Sequence, residues 1–240
     1  MKLGGTAVVC TFLFAASLGP AAAAPVFLST SFYNPAQLLP PPPADGSPVA
    51  KAEMDELHRI EKTRTADQFA HALADDKDED ITAFAEVMGP GFDIKALPRT
   101  AALFVDVKAE EKTAAKLAKD FFKRNRPWIV DPSLKSCAQD DPPQSSYPSG
   151  HATMGYAMAV VLAALAPKKA QAILARASDY AENRLVCGMH YRRDIVAGEV
   201  LGTTVAAEMM TTPGFKNEFE AARDELRAAH IIADQGAAGS

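Results

Sequence analysis

Tyr147-Pro148-Ser149-Gly150-His151-Ala152-Thr153-Met154-Gly155-Tyr156-Ala157-Met158-Ala159-Val160-Val161-Leu162-Ala163-Ala164-Leu165 joins a polar loop to an apolar segment. Pro148 and Gly150 permit a tight turn, and the Ala, Met, Val and Leu content of residues 152–165 predicts a buried helix starting at His151. The loop then delivers Ser149, Gly150 and His151 to a helix N-terminus. Unpaired N–H groups and the positive end of the helix dipole collect there, so backbone alone can hold an anion such as phosphate. Standing by itself, the stretch reads equally as a Ser/Gly turn that caps a helix, with His151 at the surface.

Outward from this helix, the periodicity remains helical. Met54, Leu57, Ile60, Phe69 and Leu73 predict helix over 51–74, and Ile81 to Val87 adds a short one stopped by Gly89-Pro90-Gly91. Pro98 to Arg124 reads as a long helix broken once, with Leu103, Val105, Val107, Leu117, Phe121 and Phe122 on its apolar side. Its basic end carries Lys119 and Arg126, seven residues apart and so able to project from a similar side; Pro127 stops it. Lys123 and Arg124 read as a solvated, dipole-complementing turn. Further helices are expected over 167–186, 192–210 and 213–231. No strand-like alternation persists and no repeat appears, so the fold class is all-α: a single compact helical bundle domain over residues 51–240.

Nearly half of the 240 residues are apolar, which suits one self-sustaining core. The net charge of −5 excludes a nucleic-acid binder that needs a broad basic surface, so any anion site must be local. Lys2, the apolar run Ala7 to Leu18 and the alanines ending at Ala24 read as a secretory signal peptide over residues 1–23, too short to span a membrane. Export to the periplasm or medium is the expectation, with no membrane span. Residues 24–50, containing Leu38-Leu39-Pro40-Pro41-Pro42-Pro43, form a Pro-rich arm in extended, polyproline-like conformation. The arm has two readings: it lies on the domain, or it reaches a neighbouring subunit of a homo-oligomer.

Without the leader, two cysteines remain. In an oxidising compartment Cys137 and Cys187 are most simply a disulfide, closing a loop of about fifty residues and stabilising by ~3–4 kcal/mol. The alternatives are free buried thiols, or a metal site using Cys187 with His190. His58 and His71 read as surface or satisfied structural residues, and Asp75 to Asp80 as a solvated acidic turn.

Three pieces remain: Lys119 with Arg126, then Ser149-Gly150-His151, then Arg184 with His190 and Asp194. Three cations and a helix N-terminus suit a phosphate dianion, whose oxygens can be shared among guanidinium forks, an ammonium and backbone N–H groups. Asp194, four residues after His190, can hold that imidazole in one tautomer; His151 is free to act as an acid.

Lys-x6-Arg-Pro, Pro-Ser-Gly-His and Arg-x5-His-x3-Asp, in this order, resemble the three-part signature of the type-2 phosphatidic acid phosphatase superfamily. The leader, the tetraproline arm and Arg184-Leu-Val-Cys-Gly-Met-His190 are similar to the bacterial class A non-specific acid phosphatases. The third motif departs from that family at Asn183, where Ser is usual. The resemblance implies an α-helical bundle that hydrolyses a broad range of phosphate monoesters (nucleotides, sugar phosphates, aryl phosphates), with phosphotransferase activity beside it and with no cofactor or metal. It implies His190 as nucleophile, His151 as acid and then base, Asp194 orienting His190, and Lys119, Arg126, Ser149, Gly150 and Arg184 binding phosphate. Two competing readings are a vanadium-dependent haloperoxidase, since vanadate mimics phosphate, and a catalytically silent exported phosphate-binding protein.

Overall fold

The computed structural model describes residues 27–233, and the expected leader lies outside them. In chain order the helices are α1 (Pro35–Leu38), α2 (Pro48–Thr63), α3 (Ala66–Asp75), α4 (Ala85–Met88), α5 (Pro98–Phe122), α6 (Pro127–Val130), α7 (Gly150–Leu165), α8 (Ala170–Val186), α9 (Arg192–Met209) and α10 (Pro213–Ala228). Among the described residues there is no strand, and the all-α class holds.

The centre is α7, whose Ala152, Met154, Ala157, Met158, Val161, Leu162 and Leu165 are all buried. A helix apolar on every side must be covered on every side, and α9, α8 and α5 do this. The approach of α9 is the tightest. A Cβ on Gly202 would stand 2.2 Å from the Thr153 carbonyl oxygen, and one on Gly198 would stand 2.7 Å from that of Ser149. Only hydrogen at these positions lets the two backbones meet. The contact brings the start of α9 against the start of α7, where the Ser149 N–H donates to the Asp194 carbonyl at 2.9 Å.

Local chemistry explains where expectation and structure part. The helix expected over 51–74 is two helices. Arg64 is extended, and Thr65 with Gln68 forms a capping box that opens α3. The break expected within residues 98–124 is absent: no Gly or Pro lies inside α5, and it runs unbroken to Phe122 before Lys123 takes a left-handed conformation (φ 49°). Arg126 therefore does not share a helical face with Lys119; it is the extended residue that precedes α6. On α5, Val105, Leu117 and Phe121 point to solvent. The buried face keeps the expected Leu103 and Val107 and adds Phe104, Ala114, Ala115 and Ala118 together with Glu110 and Glu111.

The arm lies on its own domain. Phe27 packs edge-on against Phe215 at 5.4 Å, and Leu28, Tyr33 and Leu39 are buried. Glu110 accepts the N–H of Phe27 at 2.6 Å and the Tyr33 hydroxyl, and the Tyr147 hydroxyl donates to the Pro40 carbonyl at 2.7 Å. Neither is the arm wholly extended, since α1 forms one turn and α2 already starts at Pro48.

Cys137 and Cys187 are disulfide-bonded, and the Cys137 N–H also donates to the Cys187 carbonyl at 2.8 Å. This removes Cys187 as a metal ligand. The bond fastens the loop after α6 to the turn after α8, where Gly188 adopts a φ of 65° and His190 follows.

Candidate active site

The N-terminus of α7 opens into a cleft of about 860 Å³ lined by Lys119, Arg126, Gly150, His151 and His190, among others. Ser149 caps the helix: its Oγ accepts the Ala152 N–H at 3.3 Å, which leaves the hydroxyl hydrogen to donate. Gly150 has no side chain for a reason visible across the cleft. A Cβ there would meet the Lys119 ammonium at 3.3 Å, so that cation stands directly over the helix end. Burial, and then the neighbouring Arg126, push the Lys119 ammonium down to about 8.

Arg126 is held on three sides. It donates to the Ser145 hydroxyl at 3.1 Å and the Met189 carbonyl at 2.9 Å, and pairs with Asp141 at 2.9 Å. Its Nη1 also lies 2.8 Å from His190 Nε2. His190 Nδ1 lies 2.8 Å from the Ser146 carbonyl. A carbonyl can only accept and a guanidinium can only donate, so both contacts demand the same neutral tautomer, with hydrogen on Nδ1 and the lone pair on Nε2. Burial, followed by Arg126, Lys119 and Arg184, holds this imidazole well below the usual histidine range.

Asp194 is fully buried at the third position of α9 and accepts the Tyr191 N–H at 2.9 Å, the Ser146 hydroxyl at 2.6 Å and Arg124 Nη1 at 2.6 Å. Its nearest approach to His190 Nδ1 is 3.6 Å, beyond hydrogen-bonding distance. The ring is therefore held by the Ser146 carbonyl, and the Asp194 carboxylate accepts the hydroxyl of that same serine. Burial, opposed by Arg124, raises that carboxyl to about 6.

His151 Nε2 donates to the Asp76 carbonyl at 3.2 Å, and its ring stacks on Tyr180 with centroids 5.7 Å apart. Burial, and then Arg184, lower it well below its ordinary value. Arg184, in the last turn of α8, is buried behind the cleft and pairs with the Asp76 carboxylate. The fold thus brings Lys119, Arg126, Gly150, His151 and His190 to the cleft, with Ser149, Arg184 and Asp194 behind its wall.

The model of the PAP2 superfamily matches residues 102–218, which contain all of these side chains. An acid phosphatase of Zymomonas mobilis is 31% identical over 208 residues, covering 83% of this chain and 78% of that protein. The chain belongs to the PAP2 superfamily. A non-specific acid phosphatase of Salmonella typhi is 27% identical, covering 91% and 88%, and one of Salmonella typhimurium is 26% identical, covering 83% and 80%. These relatives place the chain among the acid phosphatases. Among solved structures, a bacterial vanadium-dependent iodoperoxidase superposes with a TM-score of 0.52 at 21% identity, over 74% of this chain and 53% of that one. The present chain spans about half that structure's length, and the likeness is one of fold.

The PAP2 phosphatase also uses residues that the motifs did not mark. Arg124, expected in solvent, is buried between Asp194 and Glu53 (2.6 Å each) and stacks over Tyr191 at 4.1 Å. Its position two residues before Arg126 in a basic run gave no sign of this. The acidic turn is not all solvated either. Asp75 is buried, held by Arg176 and by the Asn183 amide at 2.8 Å, and this fixes Asp76 against Arg184 and His151. Asn183, the departure from the family's Ser, thereby props the loop beneath two site residues. His58 and His71 are satisfied by Asp131 at 2.9 Å and Asp179 at 2.8 Å, as expected. His71, Asp75 and Asp179 bring ligand atoms within 4.8 Å of one another, but Arg176 donates to both carboxylates (2.9 and 3.0 Å) and is the cation they hold.

Proposed function

We propose that this PAP2 phosphatase hydrolyses phosphate monoesters through a phosphohistidine on His190, without a metal, and that it works after export. The observation that carries this is the doubly specified tautomer of His190, with Nε2 aimed into a cationic cleft. A phosphate dianion is a stronger acceptor than a neutral imidazole, so it draws the Arg126 guanidinium onto its oxygens and frees the Nε2 lone pair. Nε2 attacks phosphorus, the ester P–O bond breaks, and His151 gives its proton to the leaving oxygen. His151 then takes a proton from the water that hydrolyses the phosphohistidine. Lys119, Arg126 and the Gly150 N–H share the charge on the equatorial oxygens at the cleft surface. Arg184 and Ser149 add their positive charge and hydroxyl from behind its wall as the phosphate seats against the helix end.

Burial first, and then Arg184 and the other cations around it, push His151 towards its neutral form. A dianion bound among them offsets that field, so His151 gains its proton as substrate binds. The substrate's own second pKa is about 6, so at mildly acid pH it also arrives with a proton to give. At the other limb, the Lys119 ammonium loses its charge near pH 8, and phosphate binding weakens above it. The expected rate profile is a bell with its maximum on the acid side of neutrality; a profile that goes on rising through pH 9 would count against these roles.

The test is hydrolysis of an aryl phosphate with a chelator present, beside His190→Ala. Survival under chelation, loss in the variant and a trapped phosphoenzyme in the wild type support the reading. A chain without hydrolysis would be assayed for vanadate-supported halide oxidation, and absence of both activities would leave the binding-protein reading.

A further inference from the structure

Five lysines on α5 and its cap, at positions 108, 112, 116, 119 and 123, line the same cleft. Their spacing of three and four residues puts them on one helical face, and at 1.5 Å per residue the row is ~22 Å long. Lys119 lies within the phosphate site; Lys116, Lys112 and Lys108 continue away from it. We infer that this wall is a track for a linear phosphoanhydride chain, so that inorganic oligophosphate and polyphosphate are the substrates the cleft takes best, with the terminal unit in the phosphate site. The inference rests on the phosphohistidine reading for its chemistry and on the cleft for its specificity.

The local charge is unlike that of the whole molecule. Against a net −5 for the chain, the cleft lining carries Lys108, Lys112, Lys116, Lys119, Lys123 and Arg126, opposed by Glu79, Glu111, Asp120 and Asp141. Two of those carboxylates, Glu111 and Asp120, compete weakly. Burial raises Glu111 to about 8, so it is neutral in mild acid. Asp120 holds Lys116 at 2.6 Å in an exposed pair that salt and a polyanion readily replace. Among the described residues, Lys112 and Lys123 make no ion pair within 4.0 Å, and both are exposed in the mouth.

A single phosphate ester would use only the Lys119 end of such a row. A nucleotide would gain from an aromatic platform for its base, and the residues lining this cleft include no Phe, Tyr or Trp. A chain that repeats one negative charge per unit and carries no base matches repeated ammonium groups along a helix. In turnover, His190 Nε2 attacks the terminal phosphorus and the bond to the bridging oxygen breaks. The chain shortened by one unit departs with that oxygen, its charge held by Lys116 and Lys112. Water then hydrolyses the phosphohistidine, so each orthophosphate released consumes one water.

The experiment uses the full chain and Lys112→Gln/Lys116→Gln, at mildly acid pH and low salt. Binding of inorganic tripolyphosphate and of orthophosphate is measured by calorimetry, and aryl phosphate hydrolysis is measured beside it. The expected result is tripolyphosphate binding tighter than orthophosphate by at least about tenfold, an advantage that shrinks with salt and falls below about threefold in the variant. Aryl phosphate kcat/KM should fall by a smaller factor than tripolyphosphate affinity does, since neither lysine touches the transferred group and an aryl leaving group carries no phosphate for them to hold. Tripolyphosphate binding no tighter than orthophosphate, or an advantage unchanged in the variant, overturns the inference even if aryl phosphate is hydrolysed. Tight, variant-sensitive tripolyphosphate binding in a chain that hydrolyses nothing supports the track and sinks the phosphatase chemistry.

Discussion

Asp194 shows how far a single residue can be read. Its spacing from His190 marks it as that ring's partner, and the two lie within 3.6 Å, but its hydrogen bonds go to Ser146, Tyr191 and Arg124. Nothing in the one-dimensional pattern could announce that a buried arginine consumes this carboxylate. Asp194→Asn leaves Arg124 facing Glu53 alone, and removing one partner of a buried ion pair costs about 3–5 kcal/mol. Denaturant unfolding should show that loss together with reduced turnover; an unfolding midpoint within error of wild type would make Asp194 a purely chemical residue. Glu111 gives a prediction whose sign depends on pH. Its folded carboxyl, raised by burial from 4.5 to about 8, keeps a proton that the unfolded chain releases. Native protein therefore binds more protons between those values, and its stability falls as pH rises through them. Glu111→Gln removes this slope, so the variant should match wild type near pH 4.5 and melt progressively higher than it towards pH 8. A difference in melting temperature that does not change with pH would refute the assignment.

At the scale of elements, α5, α7 and α10 were legible because their starts carry chemistry: Ser149 before α7 and Pro at the first position of α5 and α10, whereas the cap at Thr65 that splits α2 from α3 and the Pro127 turn of α6 were not. Which side of α5 is buried was legible only at Leu103 and Val107. Glu110 and Glu111 face inward because the arm's N–H groups and the cationic cleft receive them, while Val105 and Phe121 are left outside. The pairing of α7 with α9 depends on two glycines that look unremarkable in sequence. Gly202→Ala would drive a methyl into the Thr153 carbonyl, and backbone on both sides has no rotamer to yield. The expected cost is about 3 kcal/mol or more, seen in thermal unfolding. Turnover should fall with it, because separating the helices also pulls Asp194 from the Ser149 N–H. An active Gly202→Ala protein of wild-type stability would show that the approach is looser than described.

For the molecule as a whole, the Cys137–Cys187 bond ties the loop leading to Ser146–Gly150 to the turn that presents His190. Closing 50 residues removes unfolded-state entropy worth about 4 kcal/mol, so Cys137→Ser/Cys187→Ser should melt about 10 °C lower. The hydrogen bonds on His190 do not involve either sulfur, so the variant should retain turnover below its melting temperature. Early loss of activity without unfolding would mean that the bond holds the site itself. By itself, the sequence determined the helical class, the loop that starts α7 at Ser149 and Gly150, and a disulfide as the simplest state of Cys137 and Cys187. These rest on local rules: periodicity, capping, turn residues, and chemistry at short spacing. Only the tertiary structure decided what holds His190, why Arg124 and Asp75 are buried, and that the arm lies on its own domain. Those depend on contacts between residues tens of positions apart, where desolvation and pairing are set by which elements the packed core forces together.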